Sequence, residues 1–558
     1  MVKRGGAFRT PGGLAAVAIC VAALVAMLWR MRFGLDVSDE AFYVALPVRF
    51  ALGDKPFVDE LNIAQTAGLL IYPIIRVYTA IAGTSGIFYF IRLLYLVFFG
   101  LVGWSAYALA KTRLSQPAAL LIGTACLCFI PYGLPGLSYN TLSMGLFALG
   151  LFVVARWLLV SERSRSIVRS PMFWAGVAHA GACFAYASLL LAVLGTAAVI
   201  VFLARGERVR ATLTYAAGGL AFCVLVSPIF LMAGAASLRE VFAYSGGSGS
   251  TATFTIATTS LRLTAFLAQY PQLPFAAFIA AVTMTVARRY ALLTAAGAAF
   301  LPLLARGSLL TGPLASLGFV SCFALLGPIL SLGLRDRRAA RVLVVGIAVP
   351  SGIAATMAAL SSGNGVFAAG LGLYPAAILT ATILAMFIDE TLKAGGWPTM
   401  RPYLALAPAV VLYVLLQYIT AQDCIYRDGM RADLTARVTE GPYKGLYTSP
   451  AKKEFLHTLS EDIRTYGGRA ERALFVYDLP VGYLIANRRP LATSPWIFTL
   501  PSRVELDARY FRNHASSGDL IIVDRAQPNM PLDRAVLQRS DLVAARTAFI
   551  PYTVYVVR

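Results

Sequence analysis

The sequence predicts an all-α polytopic membrane domain over residues 1–420, followed by a small α/β domain over residues 421–558. Three observations predict it. First, 58% of the 558 residues are hydrophobic and only 13% are charged, a balance outside the range of ordinary soluble domains. Second, most of the first 420 residues fall into apolar runs close to the roughly 20 residues that a hydrocarbon core about 30 Å thick demands of a helix. Third, the composition changes after residue 420, where nineteen basic and fifteen acidic residues accompany alternating β-like and helix-like stretches. A soluble enzyme with a tail anchor is excluded. The formal charge of +21 would suit nucleic acid, but the Arg and Lys lie mostly between hydrophobic runs. Insertion rules and inner-leaflet lipids account for them there, and no nucleic-acid partner is expected.

Taken in order, residues 1–13 carry Lys3, Arg4 and Arg9 ahead of an apolar run at 14–31. This resembles a signal sequence, but no small-residue cleavage site follows, so it reads as a retained first helix. Twelve further spans are expected near 87–110, 117–131, 140–160, 171–187, 188–204, 212–233, 272–287, 291–305, 314–333, 342–360, 373–389 and 402–420, about thirteen in all. Segment 67–83 is apolar but contains Pro73 and Arg76. If it lies at the outer interface, the cytoplasmic loops after residue 110 hold sixteen Lys/Arg, and the opposite loops hold three, Arg239, Arg262 and Arg306. Counting it as a span inverts that ratio against the positive-inside bias, so an interfacial or re-entrant helix is expected. The N-terminus is then cytoplasmic, and everything after residue 420 lies outside. The Ala/Gly/Arg-rich composition suits a bacterial inner membrane.

In the outer domain, β-like runs at 473–477, 520–523 and 553–557 alternate with helix-like stretches around 451–466 and 531–540. There is no Gly-rich phosphate loop and no nucleophile elbow, so an accessory role is expected. Six of the seven cysteines sit in apolar runs and read as small packing residues. The three histidines, His179, His457 and His514, are scattered, so metal chemistry would have to use carboxylates. His179 reads as a packed residue within a span.

The acids carry the sharpest signal. Residues 1–420 contain twelve Asp/Glu, of which Asp36, Asp39, Glu40, Asp54, Asp59 and Glu60 fall in one stretch of the first outer loop, residues 34–86. A carboxylate beside a bilayer is costly unless solvated, paired or used, so the cluster marks a candidate site; the plain alternative is a solvated loop balancing Arg30, Arg32, Arg49 and Lys55. Ser38 or Asp39 is placed to cap an amphipathic helix beginning Asp39-Glu40-Ala41-Phe42-Tyr43. The turn at Gly53-Asp54-Lys55-Pro56-Phe57 closes it and leads to Asp59-Glu60.

This order of parts resembles the GT-C superfamily of integral-membrane glycosyltransferases, in the branch of the lipid A aminoarabinose transferases and protein O-mannosyltransferases. The parts are a first helix, a loop with Asp39-Glu40-x-x-Tyr43, an interfacial helix, a Gly53-x-x-Pro56 turn, a second acidic site and another interfacial helix. The motif covers about residues 36–92, and the number of spans and the outer C-terminal domain match as well. The resemblance implies that Asp39 is the catalytic carboxylate, taking the proton of an acceptor hydroxyl as a sugar leaves a polyprenyl-phosphate donor. It makes Glu40 and Tyr43 candidate substrate contacts, and Asp59 and Glu60 candidate substrate contacts at the second acidic site, or residues that only start the next helix. An inverting mechanism needs one base and stabilisation of the departing phosphate. Glu40 is also a candidate ligand for a divalent metal, which the sequence leaves open. The chain departs from the aminoarabinose transferases at Ala64-Gln65-Thr66, where they carry an acidic-basic-proline string, and Gln65 becomes a candidate substrate contact.

The leaving phosphate calls for cations, and Arg76 and Arg306 interrupt apolar sequence near the expected interface, where they would contact it in bidentate fashion or snorkel to lipid headgroups. Tyr139 and Asn140, and Asn364, lie in polar outer turns that would present them to a sugar, or serve only as turns. The stretch 244–259 reads as a mobile loop. The expected partners are a polyprenyl-phosphate-linked sugar, a glycan, lipid or protein acceptor, and membrane lipids. Two other classes remain in view: a transporter or flippase of lipid-linked sugars, and a non-catalytic envelope-assembly subunit. No internal repeat favours the former.

Overall fold

In a computed structural model of the chain, the described residues are 11–133, 135–160, 166–204, 206–246, 264, 315–362, 364–394, 425, 427–468, 470–477, 479–496, 501–525 and 531–558. Among them, six helices are long and apolar enough to cross a membrane: Pro11–Arg30, Ile87–Ala110, Tyr139–Val160, Arg208–Ser245, Arg337–Ser361 and Gly365–Glu390. The spans expected at 272–287, 291–305 and 402–420 lie outside the described residues, as does Arg306.

The first half of the chain forms α1 (Pro11–Arg30), α2 (Asp39–Ala51), α3 (Gln65–Ala82), α4 (Ile87–Ala110), α5 (Gln116–Ala125), α6 (Tyr139–Val160), α7 (Pro171–Ala185), α8 (Leu190–Leu203) and α9 (Arg208–Gly246). Small residues set how closely these helices approach. A Cβ on Gly103 of α4 would meet the Gly123 carbonyl of α5 at 2.4 Å, and one on Gly123 would meet the Gly103 carbonyl at 2.6 Å. Backbone therefore packs on backbone, as membrane helices do when small side chains face each other. The faces turned outward are apolar: Val21 and Val25 of α1, and Leu225, Leu231 and Met232 of α9, are all exposed. Segment 67–83 is helix α3, outside the six long apolar helices. It buries Gln65, Thr66, Leu69, Ile71 and Ile75 and exposes Ile74, Val77 and Ile81. Of the loop expected at 244–259, residues 244–246 are helical, because α9 runs on to Gly246 past a break at Gly234 (φ 76°) and buries Tyr244 against Phe57 and Leu61, and residues 247–259 lie outside the described residues.

The C-terminal domain contains a five-stranded sheet in the order β4-β3-β5-β7-β6, built from β3 (Arg472–Val476), β4 (Arg489–Pro490), β5 (Leu520–Asp524), β6 (Ser540–Arg546) and β7 (Tyr552–Val557). β3 pairs in parallel with β4 and β5, and β7 runs antiparallel to β5 and β6. A short antiparallel pair, β1 (Ala436–Arg437) with β2 (Tyr447–Thr448), precedes it. The three β-like runs in the sequence are β3, β5 and β7, while β6, mostly polar or exposed, carried too little apolar alternation to read as a strand.

The C-terminal domain is fastened to the first loop. Gly34 (φ 81°) leaves α1 in a left-handed turn against Ile425, where a Cβ would lie 2.1 Å from the isoleucine side chain, so glycine is required. The chain there pairs with β2: Gly34 N–H donates to the Tyr447 carbonyl at 2.8 Å, and Tyr447 N–H donates to the Arg32 carbonyl at 2.7 Å. Further on, Val481 N–H donates to the Val37 carbonyl (3.1 Å) and Leu61 N–H to the Thr493 carbonyl (2.8 Å).

Candidate active site

The start of α2 determines what Asp39 is available for. Ser38 makes no side-chain capping bond, contrary to the expectation that Ser38 or Asp39 caps the helix. Asp36, fully buried, does it instead. Its Oδ1 accepts from Ser38 N–H at 3.1 Å and Ser38 Oγ–H at 2.9 Å, and its Oδ2 accepts from Glu40 N–H at 3.1 Å. A carboxylate two residues before the N-cap thus reaches an unsatisfied donor of the first turn, as an N-cap side chain does.

Glu40 is buried against Arg92 of α4. Arg92 Nε donates to Oε1 and Nη2 to Oε2, both at 2.8 Å, and the same guanidinium also donates to the carbonyls of Met31 (2.8 Å) and Gly34 (2.7 Å). Burial pushes the Glu40 carboxyl up, against the opposing pull of Arg92. Glu40 was expected to hold substrate or metal, but both its oxygens are held by the guanidinium, and it braces the loop against α4.

The second acidic pair forms a separate buried knot around Arg49, at the end of α2. Arg49 Nε donates to Asp54 Oδ2 at 2.9 Å, Nη1 to Glu60 Oε2 at 2.5 Å and Nη2 to the Asp59 carbonyl at 2.8 Å. Burial pushes Glu60 up to about 7 despite Arg49, because desolvation disfavours the charged carboxylate. Asp507 of the C-terminal domain, accepting from Thr493 N–H at 2.9 Å, is pushed up to about 6 by burial as well. Gln65 is fully buried; it accepts from Phe57 N–H at 2.7 Å and donates to the Glu60 carbonyl at 2.9 Å. Asp59 accepts from Lys55 N–H at 2.7 Å and Tyr510 O–H at 3.3 Å. These bonds of Asp59, Glu60 and Gln65 fasten the loop to itself and to the C-terminal domain.

Asp39 sits elsewhere, at a corner lined with tyrosines. Its side chain is 19% exposed and stands 3.7 Å from Arg427 of the C-terminal domain. Tyr43, one turn further along α2, packs edge-on against Tyr139 with ring centroids 5.6 Å apart, and Tyr139 lies 5.5 Å from Tyr186. Tyr186 O–H bonds the hydroxyl of Ser361, and Asn364 Nδ2 donates to Tyr132 O–H at 3.4 Å. Burial, then Tyr139 and Asp39, push the Tyr43 phenol well above its usual range. The structure thus brings together Asp39, Tyr43, Tyr139 and Asn364 of the expected residues. Asn140 is half-buried in the first turn of α6, its side chain bonded to Tyr139. Arg76 is exposed on α3, where Nη1 donates to Tyr72 O–H one turn back.

Tyr132, Tyr186, Arg427 and Trp496 were missed. Arg427 stands before Asp428-Gly429, a turn signal visible in the sequence, but a domain read as accessory gave no reason to look there. His179 is packed as expected, with Nδ1 2.6 Å from Tyr215 O–H and Nε2 3.1 Å from the Phe147 carbonyl. Among the described residues, no group of three or more His, Cys, Asp or Glu is placed to hold a metal ion.

No protein-family model matches the sequence, and no curated protein matches it. Solved structures do. The fold is similar to the archaeal oligosaccharyltransferase AglB from Archaeoglobus fulgidus, in complex with an inhibitory peptide and a dolichol-phosphate (TM-score 0.48, 14% identity, 91% of this chain and 69% of that one). It is similar to the same organism's oligosaccharyltransferase in complex with Zn and sulfate (0.49, 14%, 96% and 72%). It is also similar to ArnT from Cupriavidus metallidurans bound to undecaprenyl phosphate (0.45, 14%, 98% and 98%). At such scores and identities the likeness assigns no role to any residue, and the site's own geometry must do so.

Proposed function

We propose that the protein is a GT-C-type glycosyltransferase of the membrane, taking a sugar from a polyprenyl-phosphate donor and attaching it to a glycan, lipid or protein hydroxyl at the outer face. The observation that carries this reading is the sorting of the six loop acids. Asp36, Glu40, Asp54 and Glu60 are buried and held by backbone donors or arginines, and Asp59 is tied to Lys55 and Tyr510. Asp39 remains partly exposed among tyrosines, where sugar hydroxyls and apolar sugar faces both find partners.

In this reading Asp39 is the general base. The acceptor oxygen bonds to the anomeric carbon while its proton passes to the Asp39 carboxylate, and the bond from that carbon to the phosphate oxygen breaks with its electron pair. Polyprenyl phosphate is already a good leaving group, so one base suffices and the configuration inverts. Tyr43, Tyr139 and Asn364 line the sugar's surroundings, with Tyr132 and Tyr186 beside them. The fold supplies the rest by fixing Asp39 on a helix whose cap and brace are independent of it.

The test is transfer from a panel of radiolabelled polyprenyl-phosphate sugars to membrane extract by purified protein. Asp39→Asn should lower transfer by at least about 100-fold with an unchanged melting temperature. Transfer by that variant within a few-fold of the parent would sink the assignment.

A further inference from the structure

Removing a sugar from its carrier leaves added negative charge on the phosphate, and that charge needs a cation close to the base. Arginines of α1, α2 and α4 do not supply it. Arg30 is buried and donates to the Gly133 carbonyl at 2.9 Å, while Arg49 and Arg92 are buried among carboxylate and carbonyl oxygens. The cation that stands at Asp39 comes from the C-terminal domain.

We infer that Arg427 is the phosphate-binding residue of this site, with Trp496 as the wall behind it. The inference rests on the glycosyltransferase reading above. The guanidinium of Arg427 is 38% exposed, 3.7 Å from the Asp39 carboxylate, and 5.9 Å from the centre of the Trp496 ring. Its Nη1 donates to Ser38 Oγ. It therefore sits at the mouth of α2 beside the base, and a planar fork of N–H donors suits a phosphate better than a point charge does.

Its backbone is held in an unusual state. Arg427 has φ 56°, in the left-handed region that a non-glycine residue enters only when its surroundings impose it. They do so here. The Arg427 carbonyl accepts from Lys452 Nζ at 2.6 Å. The next residue, Asp428, accepts from Lys452 Nζ (2.7 Å), Thr448 Oγ1 (2.8 Å) and Leu35 N–H (2.7 Å), and Ile425 N–H donates to the Gly429 carbonyl at 2.8 Å. A strained turn locked from both sides aims one arginine at the loop acid. With the donor bound, the phosphate takes over the guanidinium from Asp39, which is then set to receive the acceptor's proton. Loading of the donor and readiness of the base are thereby coupled.

Equilibrium binding of radiolabelled undecaprenyl phosphate to the purified full chain tests this, alongside transfer kinetics. Arg427→Ala should weaken binding by about 10-fold or more and raise the donor KM in parallel. Arg427→Lys, which keeps the charge and most of the packing, should fall between Ala and the parent. Asp39→Asn should bind at least as tightly as the parent, since no carboxylate then competes for the guanidinium, while losing transfer. Parent-like binding by both Arg427 variants, in a protein whose parent transfers sugar, would overturn the inference and leave the glycosyltransferase reading standing. Equal competition by phosphatidylglycerol vesicles would overturn it as well, by showing a general headgroup site. A parent that neither binds undecaprenyl phosphate nor transfers from any donor removes the glycosyltransferase reading and this inference together.

Discussion

Glu40 and Asp39 are neighbours with opposite fates, and the difference is one of partners. Glu40 is enclosed and meets Arg92 with both oxygens, so deleting its carboxylate leaves a buried guanidinium charge without compensation, at a cost of about 3–5 kcal/mol. Glu40→Ala should therefore lower the melting temperature strongly, and Asp39→Asn, at a partly exposed position, should barely move it. A Glu40→Ala protein that melts like the parent yet fails to transfer sugar would assign Glu40 a direct role with substrate. The sequence revealed that carboxylates gather between residues 36 and 60. It could not reveal which one remains for chemistry, because the deciding partners are remote: Arg92 lies 52 residues from Glu40, and Arg427 lies 389 from Ser38.

At the scale of elements, close approach of helices is what holds the loop's platform together. Besides Gly103 and Gly123, α7 and α9 meet where a Cβ on Gly176 would lie 2.0 Å from the Tyr215 carbonyl and one on Gly218 would lie 1.9 Å from the Phe173 carbonyl. These atoms are backbone and cannot turn aside. Gly176→Val should force the two helices apart and destabilise the protein by about 1–3 kcal/mol or more, measured as loss of monodisperse protein on heating in detergent. An unchanged melting profile would show that α9 slides to accommodate it. Long apolar runs identified α4 and α6 from sequence, since a 20-residue apolar helix has few alternatives. Shorter pieces were harder. β4, with two residues, and helix Val481–Ala486, with six, are too short to show a period.

Across the whole molecule, the knot of Arg49, Asp54 and Glu60 joins the loop to the C-terminal domain through Leu61, Thr493 and Asp507, and two of these acids, Glu60 and Asp507, are shifted by burial. Glu60 has its folded value raised from 4.5 to about 7, and Asp507 from 3.8 to about 6. The folded chain thus binds these protons more tightly than the unfolded chain. Their contribution to stability is full below the unfolded values and is lost as pH rises through about 6 and about 7. Through Glu60 alone, going from pH 8 to pH 5 should stabilise the fold by roughly 2–3 kcal/mol. Thermal unfolding of the parent against Glu60→Gln across that range reads it, and parallel pH profiles for the two proteins would refute it.

The sequence by itself determined the solvent of each part. Apolar runs of spanning length belong in lipid and stretches of mixed charge, as after residue 420, belong in water, because transfer free energies follow composition. Only the tertiary structure decided the site. Whether a carboxylate is a brace or a base depends on which arginine, carbonyl or tyrosine stands within a few ångströms, and those neighbours come from α4, α6 and a turn of the C-terminal domain beyond residue 420. Contacts of that kind leave no local period or spacing in the chain, so they become visible only after it has folded.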